Sequence, residues 1–108
     1  LQFIQQSDRD EILQKIYKGM TKGGILILSE KIEFPDENLN ALFIERYHEF
    51  KERMGYSKME ISQKRTALEN VLIPETLDCH KSRILNSGFS SVDVWFQCFN
   101  FASLVAFK

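Results

Sequence analysis

Lys22-Gly23-Gly24-Ile25-Leu26-Ile27-Leu28 is the junction from which the architecture of this chain can be built. Two glycines end whatever helix precedes them, and four consecutive aliphatics, two of them β-branched, then run without a polar interruption. Such a run suits a strand covered on both faces, and a parallel strand in an α/β sheet is its natural home. Upstream, Ile12, Leu13, Ile16, Tyr17 and Met20 recur at helical spacing behind the capping-box-like Ser7-Asp8-Arg9-Asp10, predicting a helix over residues 8–21. The chain opens on Leu1-Gln2-Phe3-Ile4, apolar from the first residue and without methionine, which reads as a segment entering in mid-fold.

Downstream, Pro35 closes the strand, and Leu39, Leu42, Phe43, Tyr47, Phe50 and Met54 recur at three and four up to Gly55, predicting a second, longer helix. Ser57-Lys58-Met59-Glu60 is a full capping box that launches a third helix, expected to end near Leu72 because Pro74 disfavours helix at Ile73. Thr76 can cap a fourth, running through Leu77, Ile84 and Leu85 to a stop at Gly88. From Val92 the period becomes two. Val92, Val94, Phe96 and Cys98 fall on one face, Asp93, Trp95 and Gln97 on the other, and Phe99-Asn100-Phe101 turns into Ser103–Phe107, an antiparallel terminal hairpin. No internal repeat or flexible linker divides the sequence.

Length and charge narrow the function classes. The 108 residues, 44% hydrophobic and 27% charged, can bury one core and hardly two. The formal charge of −1, with no Lys/Arg run longer than two, offers no electrostatic footprint for nucleic acid or membrane. Cys79 and Cys98 are the only cysteines and form no ligand cluster, so they read as buried thiols in a reducing compartment, with no metal site. No apolar stretch is long enough to span a bilayer, and the expected location is cytoplasmic.

Arg65 is the residue that points to chemistry. At 100° per residue, Arg65, Leu68 and Leu72 lie within roughly 40° of Ile61, so a guanidinium shares an apolar helix face. A cation there needs an anion, and the planar five-donor fork of arginine matches a carboxylate bidentately. Glu69, at i+4, is the ordinary partner; a bound ligand is the other. His48 and His80 could in principle move protons but read as surface or satisfied histidines. Glu30 ends the strand at the edge where α/β proteins keep functional groups, near a ligand or in a salt link to Lys31 or Arg65. Tyr47 and Tyr56 flank the Arg65 helix and can close over a substrate or simply pack. Trp95, Phe96, Phe99 and Phe101 read as core.

Several stretches carry a family resemblance: Leu1-Gln2-Phe3, Leu28-Ser29-Glu30-Lys31, Glu60-Ile61-Ser62-Gln63-Lys64-Arg65, Leu68-Glu69-Asn70-Val71 and Trp95-Phe96-Gln97-Cys98-Phe99-Asn100-Phe101. Together they resemble the carboxy-S-adenosyl-L-methionine synthases from Leu1 to Lys108. The resemblance implies an α/β, Rossmann-like class I methyltransferase fold. Residues 1–108 would be the C-terminal portion of one such domain, with a helical insertion at 36–73 and the last strand inserted antiparallel. It implies that S-adenosyl-L-methionine and prephenate become carboxy-S-adenosyl-L-methionine and phenylpyruvate, the carbon dioxide of prephenate being captured at the methyl group through a sulfonium ylide. The product would serve tRNA wobble uridine-5-oxyacetic acid modification by a partner enzyme, with no direct nucleic-acid contact. It assigns Arg65 to the ligand carboxylate as the catalytic and cofactor-binding cation, and it implies a homodimer in which Arg65 can reach a neighbouring site. Gln2 and Phe3, expected just after a sheet strand, would border the cofactor, and Tyr56 the substrate. The glycine-rich turn and ribose-binding acid of such sites are absent, so most of the cofactor pocket is missing and the segment by itself would be inactive. Two rival readings are a conventional small-molecule methyltransferase and a non-catalytic α/β interaction module.

Overall fold

Short polar side chains set the helix starts. In the computed structural model, which describes residues 1–108, Asp36, Ser57 and Thr76 each accept a backbone N–H from the residue three positions on, and they open α2 (Glu37–Arg53), α3 (Lys58–Leu68) and α4 (Leu77–Asn86). The Ser57 box is complete, since Glu60 accepts the Ser57 N–H at 2.7 Å. The first helix departs from expectation: α1 (Gln6–Gly19) starts two residues early behind Gln5, which offers no side-chain cap, while the Ser7 hydroxyl turns to Asp8. Its C-terminal carbonyls are held from afar by the Lys108 ammonium, 2.6 Å from Tyr17 O and 2.7 Å from Met20 O. α3 also stops four residues short of Leu72, where the Glu69 amide turns back three residues to Thr66 O instead of continuing the four-residue ladder.

The sheet has the order β1-β3-β2, with β1 (Ile25–Lys31) and β2 (Ser91–Cys98) each antiparallel to β3 (Phe101–Phe107). β1 and β2 therefore run parallel to each other with the last strand inserted between them. The expectation that β1 is covered on both faces is corrected: Leu26 and Leu28 pack inward, whereas Ile25 and Ile27 are 54% and 59% exposed and one edge of β1 has no neighbour. The core lies on the inward face, where Leu13 of α1 and Ile84 of α4 meet Leu104 and Ala106 of β3 together with Phe89. Full burial of each large side chain there contributes about 1.5–3 kcal/mol.

Strict alternation in β2 fails at Trp95. Val94 opposes Leu104 and Phe96 opposes Ser103, so Trp95 is the extra residue of a bulge and Phe96 passes to the face opposite Val94. Trp95 and Phe96 are consequently 62% and 57% exposed rather than core, and the indole N–H donates to Ser103 Oγ at 2.8 Å. The hairpin turns at Phe99 with φ 52°, a left-handed conformation costly for an aromatic residue, and its ring is held against Phe50 at 5.5 Å and Tyr47 at 6.3 Å. Cys98 is exposed and Cys79 half-buried, both as free thiols, which corrects their reading as buried. No helix is long and apolar enough to cross a membrane.

Beneath the core lies a charged cluster. Arg9 is fully buried, donates to Ile4 O and Ile73 O at 2.9 Å each, and places Nη1 2.7 Å from Glu75 Oε2. Arg83 closes on the same carboxylate with both terminal nitrogens and on Asp10 with Nε at 2.6 Å. Hydrogen bonds from Arg83, with Arg9 adding to them against the cost of burial, hold the Glu75 carboxyl at about 2. This ties α1, α4 and the Ile73-Pro74-Glu75 segment together.

Candidate anion-binding site

α2 and α3 form a hairpin off the sheet. α2 buries none of its residues completely and α3 only Ile61, so the expected placement of Arg65 on a buried apolar stripe is corrected: Arg65 is exposed. It is nevertheless on the wall of a cleft. Two cavities meet at it, one of about 260 Å³ and a wider one of about 880 Å³, and both are also lined by Glu33, Asn40, Ile44 and His48. Arg65 makes no ion pair. Glu69, which borders the smaller cavity, does not come within pairing distance, and neither does any other carboxylate among the seven ion pairs of the structure.

Three further cations converge on the smaller cavity from three elements: Lys31 from the carboxyl end of β1, Lys51 from α2 and Lys64 from α3. None of them pairs with an acid. The Lys51 ammonium lies 4.5 Å from the centroid of the Tyr47 ring and the Lys31 ammonium 5.4 Å from the same centroid. Burial, then repulsion from Lys51 and Lys64, pushes the Lys31 ammonium below the ordinary lysine range; burial and Lys64 do the same to Lys51. Burial, with Lys51, Arg65 and Lys31 adding to it, likewise holds His48 below the usual imidazole value, favouring its neutral form. His48 is thus a cavity residue rather than a surface histidine. The arrangement is a positive field over an aromatic ring, with Leu68, Leu72 and Ile44 as apolar wall.

The other expected site residues fall elsewhere. Gln2 is a clamp: its amide donates to Glu30 at 3.1 Å, its side-chain oxygen accepts the Lys31 N–H at 2.9 Å, and its carbonyl accepts the Ile73 N–H. It lines neither cavity, though it fixes the backbone from which Lys31 projects. Phe3 is 57% exposed and Tyr56 56% exposed, both outside the two cavities; the cavity tyrosine is Tyr47. Glu30 is buried and accepts from the backbone nitrogens of Leu1 and Gln2, with no link to Lys31 or Arg65. His80, read as surface or satisfied, is 1% exposed with no partner at either ring nitrogen, and burial lowers its pKa. Lys31, Lys51 and Lys64 escaped the sequence reading because they are separated along the chain, so no basic run marks them. One signal was available, the i, i+4 pair Tyr47/Lys51 on α2.

The inserted antiparallel last strand and the helices on one face of the sheet define an α/β, methyltransferase-like fold. Among solved structures, PigF with SAH superposes on 94% of this chain and 26% of its own, with a TM-score of 0.58 at 18% identity. A protein of Nostoc punctiforme described provisionally as an O-methyltransferase superposes on 100% of this chain and 29% of its own, with a TM-score of 0.59 at 16% identity. Sequence relatives carry the relationship further. Curated proteins named carboxy-S-adenosyl-L-methionine synthase align over all 108 residues: those of Chromohalobacter salexigens and Aliivibrio fischeri at 57% identity, that of Pasteurella multocida at 53%. The chain is homologous along its whole length to the C-terminal part of that family. It spans 40–45% of the length of these relatives. No family model matches it.

Proposed function

We propose that this chain supplies the C-terminal part of a carboxy-S-adenosyl-L-methionine synthase. The reaction takes S-adenosyl-L-methionine and prephenate to carboxy-S-adenosyl-L-methionine and phenylpyruvate. Prephenate gives up carbon dioxide and hydroxide, the methyl group gives up a proton and gains the carbon dioxide, and proton and hydroxide leave as water. The product would feed the oxyacetylation of tRNA wobble uridine. The observation that carries the reading is the unpaired Arg65 guanidinium on a cavity wall beside three unpaired lysines. A fork with no protein carboxylate to hold is free to take a ligand carboxylate, and a guanidinium brought up to that carboxylate supplies the paired, charge-assisted hydrogen bonds that would hold it in place. The residues present fit the carboxylate end of the ligand; the glycine-rich turn for its adenosine end is not among them.

Incubating the intact enzyme with both substrates and weighing the nucleoside product tests this. A sulfonium heavier by one carboxyl group, formed together with phenylpyruvate, is expected. Methyl transfer to an acceptor without a carboxylated nucleoside would instead favour the conventional methyltransferase that the fold neighbours suggest.

The α2–α3 hairpin is the proposed contact between two copies, since Leu42, Met54 and Met59 on it are 40%, 62% and 70% exposed. Light scattering on the intact enzyme should give a dimer and on Met59→Glu a monomer; a monomeric wild type would end this reading.

A further inference from the structure

The four cations at the smaller cavity are more than one carboxylate needs. Arg65 belongs to the exposed flank of α3, whereas Lys31 and Lys51 stack on a single ring, Tyr47, deeper between β1 and α2. Lys31 is also 5.6 Å from the Phe101 ring, so its ammonium is held between two aromatic faces rather than extended into water. Two ammonium groups on one ring repel each other, and the structure gives them no acid: Glu33 and Glu69 border the cavity without pairing to either. A fold that pays such repulsion recovers it when an anion arrives.

We propose that Lys31 and Lys51, set on the Tyr47 ring with Lys64 at the rim, form a second anion subsite that takes the other carboxylate of a dicarboxylate ligand whose first carboxylate is held by Arg65. The ligand's carbon skeleton lies against the apolar wall between the two positive foci. This assignment rests on the function proposed above and deepens it by naming what distinguishes a dicarboxylate from a monocarboxylate. The depressed lysine pKa values agree with it, because an anion between the ammonium groups would relieve the repulsion that depresses them. A nucleic-acid backbone is the wrong occupant: the cations close on a cavity of about 260 Å³ instead of forming a stripe, and the chain as a whole carries a charge of −1.

The test is calorimetric titration of prephenate into the intact enzyme saturated with S-adenosylhomocysteine, which allows binding without turnover. The double variant Lys31→Met/Lys51→Met keeps the side-chain stems on the aromatic rings and removes both charges. Its prephenate affinity is expected to fall at least tenfold, with S-adenosylhomocysteine affinity unchanged; Lys51→Arg is expected to retain most of the affinity. Lys51→Gln alone, on an exposed helix, serves if the double variant is poorly folded and should lose several-fold. Unchanged prephenate affinity in a folded variant, alongside normal carboxylated product from the wild type, overturns the subsite and leaves the function standing. A wild type that neither binds prephenate nor makes the product overturns both.

Discussion

Glu75→Gln should lower the free energy of unfolding of the intact protein at pH 7 by roughly 3–5 kcal/mol, measured by urea denaturation. The size follows from where the charges are. Arg9 is 0% exposed and Glu75 is 6% exposed, so removing the carboxylate leaves a guanidinium in the interior with only backbone carbonyls to answer it. The same carboxylate titrates near 2 when folded against an ordinary 4.5. A depressed acid stabilises the native state in its charged form, so the contribution is complete above pH 4.5 and is lost as pH falls from there toward 2. About 3 kcal/mol of wild-type stability should disappear through this window, while the glutamine variant stays flat, and the two curves should converge near pH 2. A variant as stable as wild type at pH 7 would show that the cluster does not hold these elements together.

None of this cluster is visible from sequence patterning. Arg9, Glu75 and Arg83 sit on α1, a connecting segment and α4, and nothing in their spacing along the chain says that they meet. What patterning does reach is local. Ser57 with Glu60 and Thr76 with Cys79 are contacts three residues long, and the structure has them as the spacing predicts. The order of elements and the terminal hairpin were likewise legible, because glycines and the change of period mark them, whereas the insertion of the last strand between the other two was implied only by the family resemblance. Two failures share one physical cause. The aliphatic run Ile25–Leu28 reads as buried on both faces, yet burial depends on neighbours outside the run, and Ile25 and Ile27 have none here. Arg65 shares an angular face with Ile61 and Leu68, but the hairpin of α2 and α3 stands off the sheet and gives that face no depth at Arg65. Periodicity reports which side chains align, not what they align against. Apart from the Tyr47/Lys51 pair on α2, the lysine cluster was illegible for the same reason as the buried ions.

Arg65→Leu in the intact enzyme should leave the unfolding midpoint close to wild type, because the side chain is exposed and pairs with nothing. Affinity for carboxy-S-adenosyl-L-methionine should fall by about 2–4 kcal/mol, or on the order of 30- to 1000-fold, as expected when a charged hydrogen-bonding partner is deleted. Affinity for S-adenosyl-L-methionine itself, which lacks the carboxylate on that carbon, should barely change. Calorimetry with the two ligands separates these outcomes, and equal losses for both would remove Arg65 from the carboxylate. Arg65→Lys should recover only part of the loss, since an ammonium supplies charge without the planar pair of donors.

The open margin of β1 carries a practical consequence. Its outward row of amide and carbonyl groups, flanked by Ile25 and Ile27, is a template for another strand. An extended segment laid along that margin would complete its backbone pairing, so this is the side on which the sheet can be widened.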